Sequence, residues 1–347
     1  MKKIALSLLL LPCFFFAHAQ NVIVVQSGTN TSVFSTLDSA MAAASPGDYL
    51  YLSAGNFTAV GNGTGNGFYK PLHFIGAGIS PDSTNTTGVT TISAGSGIYV
   101  AQTAAGSTFD GIDFSNALLY FSTLTPASGG IPDTLGSFSF NRCIISYVNG
   151  GFSNVYPNAT SSWAFHECIF TGPAFIDLGS AQNASAIFDR CFLHSIYAAQ
   201  RCVFNNCIIG DPGNVNTMNN CIVYGAAAGA SAQGAGHYNN CIFSGANNSV
   251  NASNCQFNVS LSSVFVNAPS VASNPYWDFN SNYHMAASSP GINAGNDGHD
   301  CGIFGTSTPT KAGWVPYNPH FSKITIPTST DASGILNVNI NVAAQSH

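Results

Sequence analysis

Three charged side chains occupy the same position of a repeated motif in a chain that carries few charges. The motif reads aromatic, any residue, polar, Cys and two apolar residues, and its polar position holds Arg142, Glu167 and Arg190 in three successive copies. The residues just before it, His166 and Asp189, fall side by side if adjacent copies stack in register. Arginine binds a carboxylate through two parallel hydrogen bonds, and histidine or glutamate can act as a general base. These five residues are candidate catalytic residues for an acidic polysaccharide.

The same spacing also has a structural interpretation. Stacked copies would place Arg142, Glu167 and Arg190 in a ladder of ion pairs, which is worth up to about 1 kcal/mol if it is exposed. Charged residues make up only 6% of the chain, against roughly 25% in an ordinary soluble domain. Glu167 is the only glutamate, so its position between two arginines is notable under either interpretation.

Aromatic residues in loop-like segments form a second candidate group. Trp163, Tyr147 and Tyr156 are predicted to bind a sugar, because flat rings can stack on pyranose faces. Tyr276 and Trp277 lie in similar segments. The alternative is that these rings stack inside the fold or cover its side.

No metal site or cofactor is predicted. The sequence has no Cys-x-x-Cys pair or other zinc-type ligand spacing. Asp110 and Asp113 could contribute to a calcium site, which remains the alternative. Calcium takes roughly six to eight oxygen ligands, and two carboxylates supply too few of them.

The chain has ten cysteines, and Cys13 lies in the N-terminal leader. In a parallel stack, the Cβ atoms of motif cysteines would lie about 4.8 Å apart, beyond the roughly 3.5–4.5 Å of a disulfide. The spacing predicts a ladder of buried free thiols, with one or two disulfides involving Cys202 as the alternative. Seven cysteines occupy the motif position: Cys143, Cys168, Cys191, Cys207, Cys221, Cys241 and Cys255.

The repeat itself predicts a parallel solenoid. Successive motif cysteines are 14 to 25 residues apart, without a helical pattern between them, so the strands must stack through turns alone. Alternation along each strand places the cysteine and the second apolar residue inside, as in Cys168 and Phe170. A hydrogen-bonded amide ladder is predicted where the polar position is asparagine: Asn206, Asn220, Asn240 and Asn254.

An open solenoid end needs a cap. Residues 35–38 read Ser-Thr-Leu-Asp, a possible capping box. Leu37 and Met41 follow on one helical face, and Pro46 and Gly47 end the pattern. The sequence therefore predicts a cap helix over 33–45, the only helix of the chain.

Both ends of the chain resemble one family. Residues 35–57, which lead from the cap through Pro-Gly-Asp into an alternating strand, resemble the start of secreted pectate-lyase-like right-handed parallel β-helix proteins of the Bacteroidetes type. Residues 283–295 and 300–305 resemble the terminal coil of these proteins. The resemblance implies an all-β, right-handed parallel β-helix. It says little about activity, because this architecture hosts lyases, hydrolases and non-enzymatic surface proteins.

The predicted organisation has three parts. Residues 1–19 have the basic start, apolar stretch and Ala-His-Ala site of a cleaved signal peptide. Residues 20–305 form the solenoid, which includes the cap and a terminal coil at 284–305. Residues 306–347 form a tail with one edge strand.

The predicted location is outside the cell or on its surface, with the periplasm as an alternative. No later apolar run reaches the roughly 20 residues of a membrane span. Eight basic residues, without a cluster outside the leader, argue against nucleic acid as a partner.

The predicted function is a secreted surface module that contacts glycans or cell-surface material without catalysis. The first alternative is a polysaccharide lyase or glycoside hydrolase acting on acidic polysaccharide. Against it, the sequence lacks clustered acidic calcium ligands and an adjacent Asp-Asp pair. The second alternative is a structural or adhesive spacer.

Overall fold

The fold is known from a computed structural model. It describes residues 21–59, 67–80, 88–94, 97–122, 134–149, 160–175, 183–197, 201–211, 217–224, 236–246, 251–268, 276–310, 314–315, 320–325, 329–335, 337 and 339–343. The predicted signal peptide (1–19) and Tyr156 lie outside these residues. None of the helices in the described part is long and apolar enough to cross a membrane.

β-Strands are the main regular structure of the described part of the chain. The first ten are β1 (Ile23–Ser27), β2 (Asn30–Phe34), β3 (Tyr49–Leu52), β4 (Gly55–Thr58), β5 (Gly67–Phe68), β6 (His73–Ile75), β7 (Thr90–Ser93), β8 (Ile98–Ala101), β9 (Thr108–Asp110) and β10 (Asp113–Ser122). The next ten are β11 (Thr134–Asn141), β12 (Ile144–Asn149), β13 (Thr160–His166), β14 (Ile169–Phe175), β15 (Asn183–Asp189), β16 (Phe192–Tyr197), β17 (Cys202–Asn205), β18 (Ile208–Asp211), β19 (Thr217–Asn219) and β20 (Ile222–Val223). The last seven are β21 (His237–Asn239), β22 (Ile242–Phe243), β23 (Ala252–Ser253), β24 (Phe265–Asn267), β25 (Asn282–Met285), β26 (His320–Thr325) and β27 (Asn339–Ala343).

Two long sheets run the length of the molecule. Sheet A has the strand order β2-β1-β3-β6-β9-β11-β13-β15-β17-β19-β21-β23, and sheet B runs β22-β20-β18-β16-β14-β12-β10-β7-β4, with β8 and β5 attached through β10. Pairing is parallel throughout, except that β1 is antiparallel to β2 and β3. From β9 onwards each coil gives one strand to sheet A and the next to sheet B. The predicted all-β parallel solenoid is confirmed.

The solenoid core is a stack of identical positions. Neighbouring phenylalanine rings lie nearly parallel, with centroids 4.6–5.3 Å apart, which matches the strand spacing of about 4.8 Å. Cys168 and Phe170 both lie in this core, as predicted. The stack consists of Phe74, Phe109, Phe140, Phe165, Phe188 and Phe204.

From β11 onwards, a single left-handed residue follows each sheet A strand, at the turn toward sheet B. These residues have φ between 50° and 55° and coincide with the polar position of the motif. Asparagine tolerates this conformation better than most residues, which explains its recurrence there. We call this set the left-handed row: Arg142, Glu167, Arg190, Asn206, Asn220, Asn240 and Asn254.

The predicted amide ladder exists, but it lies one residue earlier than predicted. Asn219 Nδ2 donates to Asn205 Oδ1 at 2.9 Å, and Asn239 Nδ2 donates to Asn219 Oδ1 at 2.9 Å. Each left-handed residue follows a ladder residue, and its backbone conformation turns its own side chain away from the amide ladder. Asn220 and Asn240 therefore reach a different part of the chain.

The cap helix is shorter than predicted. Helix α1 spans Leu37–Ala43, and residues 33 and 34 belong to strand β2 instead. Its N-cap is Thr36 rather than Ser35, and the Thr36 Oγ1 accepts a hydrogen bond from Ser39 N. Lys70 Nζ donates to Ala44 O at 2.8 Å and to two further carbonyls of the last turn, which caps the other end.

The described residues that follow the last coil, 259–268, 276–310 and 314–315 (the terminal segment), pack along the outside of sheet B. The predicted terminal coil at 284–305 is part of it. Asn240 Nδ2 donates to Ala294 O at 2.8 Å, and Asn220 Nδ2 donates to Asn296 Oδ1 at 2.9 Å. The segment therefore runs back toward earlier coils as its residue numbers rise.

The terminal segment creates a second apolar core. The first apolar residue after each motif cysteine points outward from sheet B, and the terminal segment covers it. Six such residues are at most 8% exposed: Ile144, Ile169, Phe192, Ile208, Ile222 and Ile242. The covering residues include Val264, Phe265, Tyr283, Cys301, Ile303 and Trp314.

The described part of the tail holds two strands rather than the single predicted edge strand. Strands β26 and β27 pair in antiparallel fashion. Asp331, between them, accepts hydrogen bonds from the backbone N–H groups of Ser333 and Ile335. Hydrogen bonds lower the pKa of Asp331 to about 2, and the bond from the Ser333 hydroxyl makes the largest contribution.

Candidate functional site

The predicted ladder of Arg142, Glu167 and Arg190 forms, and a carboxylate extends it at each end. Arg142 donates from Nε to Asp110 Oδ1 at 3.0 Å and from Nη2 to Asp110 Oδ2 at 2.6 Å. Its Nη1 lies 3.6 Å from Glu167 Oε2, and Arg190 Nη1 donates to Glu167 Oε1 at 2.9 Å. Arg190 Nη2 lies 2.8 Å from Asp189 Oδ2. We call these five residues, whose charges alternate in sign, the charged ladder.

The centre of the charged ladder is buried. The side chains of Arg142 and Glu167 are 6% and 2% exposed. Burying a charge is unfavourable unless it is paired, and each arginine here contacts two carboxylates. This arrangement differs from the exposed ladder that would be worth only about 1 kcal/mol, because removal of one buried charge leaves its partners without compensation.

The terminal segment covers the charged ladder. Trp314 Nε1 donates to the backbone carbonyl of Glu167 at 2.9 Å, and Arg190 Nη1 donates to Thr308 O. The indole of Trp314 is only 7% exposed. A sugar therefore cannot reach Glu167 in this arrangement, and the buried pairs act as an anchor for the terminal segment.

The pair formed by His166 and Asp189 is the most exposed part of this charged region. His166 and Asp189 are paired in register on β13 and β15, as predicted, and His166 Nδ1 lies 3.5 Å from Asp189 Oδ2. Their side chains are 39% and 23% exposed. An accessible imidazole beside a fixed carboxylate has the composition of a general base and its orienting group.

The carboxyl of Asp189 is held in its charged form. Burial raises its pKa, but the hydrogen bond with His166 and the adjacent Arg190 guanidinium outweigh burial, and the pKa is lowered overall. Asp189 therefore remains ionised near neutral pH, where it pairs with the Arg190 guanidinium and lies beside the His166 imidazole.

The loop position predicted for Trp163 is wrong. Trp163 lies on β13 and is 1% exposed, with its ring centroid 4.4 Å from that of Phe121. Alternation along β13 places Trp163 on the same inner face as Phe165. The seven residues before the motif polar position Glu167 form strand β13, whereas the sequence predicted a loop at Trp163.

The other predicted rings have different environments. Tyr147 is half-buried on strand β12 rather than in a loop, and its ring lies edge-on to Tyr120 at 6.5 Å. Tyr276 is 47% exposed and stacks on His194 at 4.7 Å. Trp277 packs in the second apolar core. Tyr147 and Tyr276 thus lie on the sheet B side of the molecule, apart from the His166 edge.

The two aspartates considered for calcium are used locally. Asp110 binds Arg142, and Asp113 Oδ1 accepts a hydrogen bond from Ser115 N at 2.6 Å. Within the described ranges, no cluster of three or more His, Cys, Asp or Glu side chains is arranged to hold a metal ion.

The nine cysteines after the leader are free thiols, and all of them except Cys255 are buried. Each motif thiol donates to a carbonyl of the preceding coil, as Cys191 Sγ does to Phe165 O at 3.2 Å. Burial raises the pKa of Cys143 and of Cys202 above the usual range. These thiols fill the core rather than form disulfides, and Cys202 follows the same pattern.

The outer face of sheet A was not singled out by sequence reasoning. Its main feature is one polar row formed by the residue before each left-handed position. In register, the row reads Asp110, Asn141, His166, Asp189, Asn205, Asn219, Asn239 and Ser253. We call it the outer row. The repeated Asn-Asn pair before the motif cysteine was the available signal, since its two members must point in different directions.

Comparisons with known proteins do not identify a relative. No protein-family model, curated protein or solved structure matches this chain.

Proposed function

We propose that this protein is a secreted, right-handed parallel β-helix that binds neutral glycan chains on the outer face of sheet A without cleaving them. The handedness follows from the general rule that parallel crossovers are right-handed in about 98% of cases. Secretion is supported by the signal-peptide pattern of residues 1–19.

The outer row is the observation that carries this proposal. Asn205, Asn219 and Asn239 are half-buried and linked by hydrogen bonds of 2.9 Å, so their amides have a fixed direction. Thr217 and His237 lie on the same outer face. Fixed amides and hydroxyls match the donors and acceptors of sugar hydroxyls, and prior ordering reduces the entropy cost of binding.

The burial of the charged ladder argues against a catalytic role for its residues. Arg142 and Glu167 are buried and paired, and the terminal segment contacts Glu167 and Arg190. These residues stabilise the fold through their ion pairs. Arg142 and Arg190 are therefore not available to bind the carboxylates of an acidic polysaccharide. A neutral ligand fits the uncharged part of sheet A better.

A catalytic alternative has one observation in its favour. His166 and Asp189 form an accessible pair in the middle of the outer row. If a glycan lies along this row, His166 would be close to it and could act as a general base. The alternative is a polysaccharide lyase or hydrolase that uses this pair.

One experiment separates binding from cleavage. The chain lacking residues 1–19 is run through native gels that contain neutral or acidic polysaccharides, with and without calcium, and the polymers are then analysed by mass spectrometry. The variants are Asn219→Ala, which breaks the amide ladder, His166→Ala, which removes the candidate base, and Asn280→Ala, at an exposed asparagine of the terminal segment, as the matched control.

The expected result is retardation by a neutral polysaccharide that Asn219→Ala weakens and Asn280→Ala retains, with the polymer intact in every sample. Unsaturated or hydrolysed products that disappear in His166→Ala would replace the binding proposal with the catalytic alternative. Absence of both retardation and products across the panel would contradict the proposal. The melting temperature of each variant shows whether it is folded.

A further inference from the structure

We propose that three rings at the N-terminal end of sheet A, Tyr49, Tyr51 and His73, form an aromatic platform for an extended neutral polysaccharide chain. This inference rests on the proposed glycan-binding function and adds a second contact point to it. We call these three residues the aromatic platform.

The rings are held in place by one another and by a hydrogen bond. Tyr49 and His73 stack with centroids 4.5 Å apart, and the rings of Tyr49 and Tyr51 are 6.3 Å apart with planes 20° from parallel. His73 Nδ1 lies 2.9 Å from Thr108 Oγ1. The platform is therefore preorganised, which lowers the entropy cost of a ligand that stacks on it.

Strand alternation turns these rings outward. Leu50 and Leu52 of β3 are buried, whereas Tyr49 is 43% exposed. A large ring at the surface is unusual enough to require an explanation, since exposed apolar groups in clusters mark binding sites. Tyrosine suits such a site because its ring is apolar and its hydroxyl can bond to a polar ligand.

The outward side chains paired with the platform rings on β1 and β9 are uncharged, and Asp110 of the outer row lies two strands from Tyr51 in the same register. The outward residues of β1 in register with Tyr51 and Tyr49 are Val24 and Gln26, and Thr108 lies beyond His73. Rings bordered by an amide and a hydroxyl complement a ligand that has both C–H faces and hydroxyl groups. This combination describes a neutral sugar, and it offers nothing to an anionic polymer.

The platform and the amides of the outer row share one sheet face. From β3 to β21 there are eight strand steps in sheet A, so Tyr49 and His237 are separated by roughly 40 Å along the solenoid. A ligand that contacts both ends must be a long chain lying along the solenoid axis. Short oligosaccharides would reach only one end, and avidity should favour the longer ones.

The test uses a matched pair of tyrosines on the two sheets. Tyr120 stacks on Tyr99 at 5.4 Å on sheet B, so Tyr120→Ala removes a similar stacked ring from the opposite face. Tyr49→Ala, Tyr49→Phe and Tyr120→Ala are compared with the unmodified chain lacking residues 1–19. The ligands are neutral oligosaccharides of increasing length, cut from whichever polymer retards that chain, and binding is measured by calorimetry.

We expect Tyr49→Ala to weaken binding of the long oligosaccharides about tenfold, and Tyr49→Phe and Tyr120→Ala to leave it within about threefold. Equal binding by Tyr49→Ala and the unmodified chain would overturn the platform while the glycan-binding proposal stands. Loss of binding in Tyr120→Ala alone would also overturn it, since the ligand would then lie on sheet B. Failure of the unmodified chain to bind any polymer would overturn both proposals.

A second copy of the chain is the competing occupant of this face. Sedimentation velocity of the unmodified chain and Tyr49→Ala distinguishes it. Self-association that Tyr49→Ala abolishes would overturn the platform, and a monomer in both samples supports a small-molecule or polymer ligand.

Discussion

Glu167 is the residue on which the charged ladder depends. Its carboxylate is almost fully buried, and it lies in the left-handed conformation that costs a non-glycine residue about 1–2 kcal/mol. Arg142 on one side and Arg190 on the other compensate for the buried charge. The pairing explains how a sequence with one glutamate can tolerate it inside the fold.

Replacing Glu167 by Gln should destabilise the protein by about 3 kcal/mol, because two buried guanidinium groups lose a charged partner. Urea unfolding followed by circular dichroism measures this change. Asp297→Asn is the control, since Asp297 is exposed and an asparagine oxygen can accept the same hydrogen bond from His299 N, so this substitution should stay within about 0.5 kcal/mol. A loss below about 1 kcal/mol for Glu167→Gln would mean that the charged ladder behaves like a surface ion pair.

Because the pKa of Asp189 is lowered in the folded protein, part of the free energy of unfolding depends on pH. In the unfolded chain an aspartate has a pKa of about 3.9, and in the folded protein this pKa is lower. The stabilisation from Asp189 is therefore complete above the unfolded value and is lost as the pH falls through the folded value. The difference in melting temperature between the unmodified chain and Asp189→Asn should shrink between pH 6 and pH 3. A constant difference would show that Asp189 does not titrate differently in the two states.

At the scale of elements, the left-handed row is what turns each coil from sheet A into sheet B. Each position of this row needs a residue that tolerates positive φ. The side chain of that residue can make different contacts in different coils. Asn220 and Asn240 bind the terminal segment, whereas Asn206 Oδ1 is buried without a hydrogen-bond partner. Substitutions at Asn206 therefore test the need for a left-handed backbone separately from a bond made by the side-chain oxygen.

Asn206→Ala should cost about 1–2 kcal/mol, because alanine strongly disfavours the left-handed conformation. Asn206→Gly keeps that conformation accessible and should be nearly neutral. The comparison of the two variants by urea unfolding removes the contribution of the side chain from the result. Equal destabilisation by Ala and Gly would indicate that the amide, and not the backbone, is what this position requires.

At the scale of the whole molecule, the terminal segment is a second layer on sheet B. It covers an apolar row that includes Ile169 and Ile222, both fully buried. It also bonds to the left-handed row at several coils. A solenoid without this layer would expose a continuous apolar stripe, which favours association.

A chain that ends at residue 258 should therefore bind a hydrophobic dye and self-associate, while a chain that ends at residue 315 should not. The longer variant keeps Trp314 and its hydrogen bond to Glu167, so it is the matched control. Dye fluorescence and sedimentation velocity read out the difference. If the chain that ends at residue 258 is monomeric and does not bind the dye, the terminal segment is not needed to cover the apolar stripe.

The repeated motif was enough to predict the solenoid and the order of residues within each coil. A motif of fixed length and alternating side chains predicts which residues stack, so the inward cysteines and the order Arg142, Glu167, Arg190 could be predicted correctly. These features depend on neighbours along one strand and on equivalent positions in the next coil, both of which are visible as a repeat.

The surroundings of each repeated position depend on the tertiary structure and could not be predicted from the motif. The left-handed residue redirects its own side chain, so the amide ladder formed at Asn205 and Asn219 rather than at Asn206 and Asn220. The contact between Trp314 and Glu167 joins residues 147 positions apart, and no local pattern specifies it. Whether the charged ladder was an exposed site or a buried anchor depended on that distant contact, because burial is set by what packs on a face and not by the residues that form it.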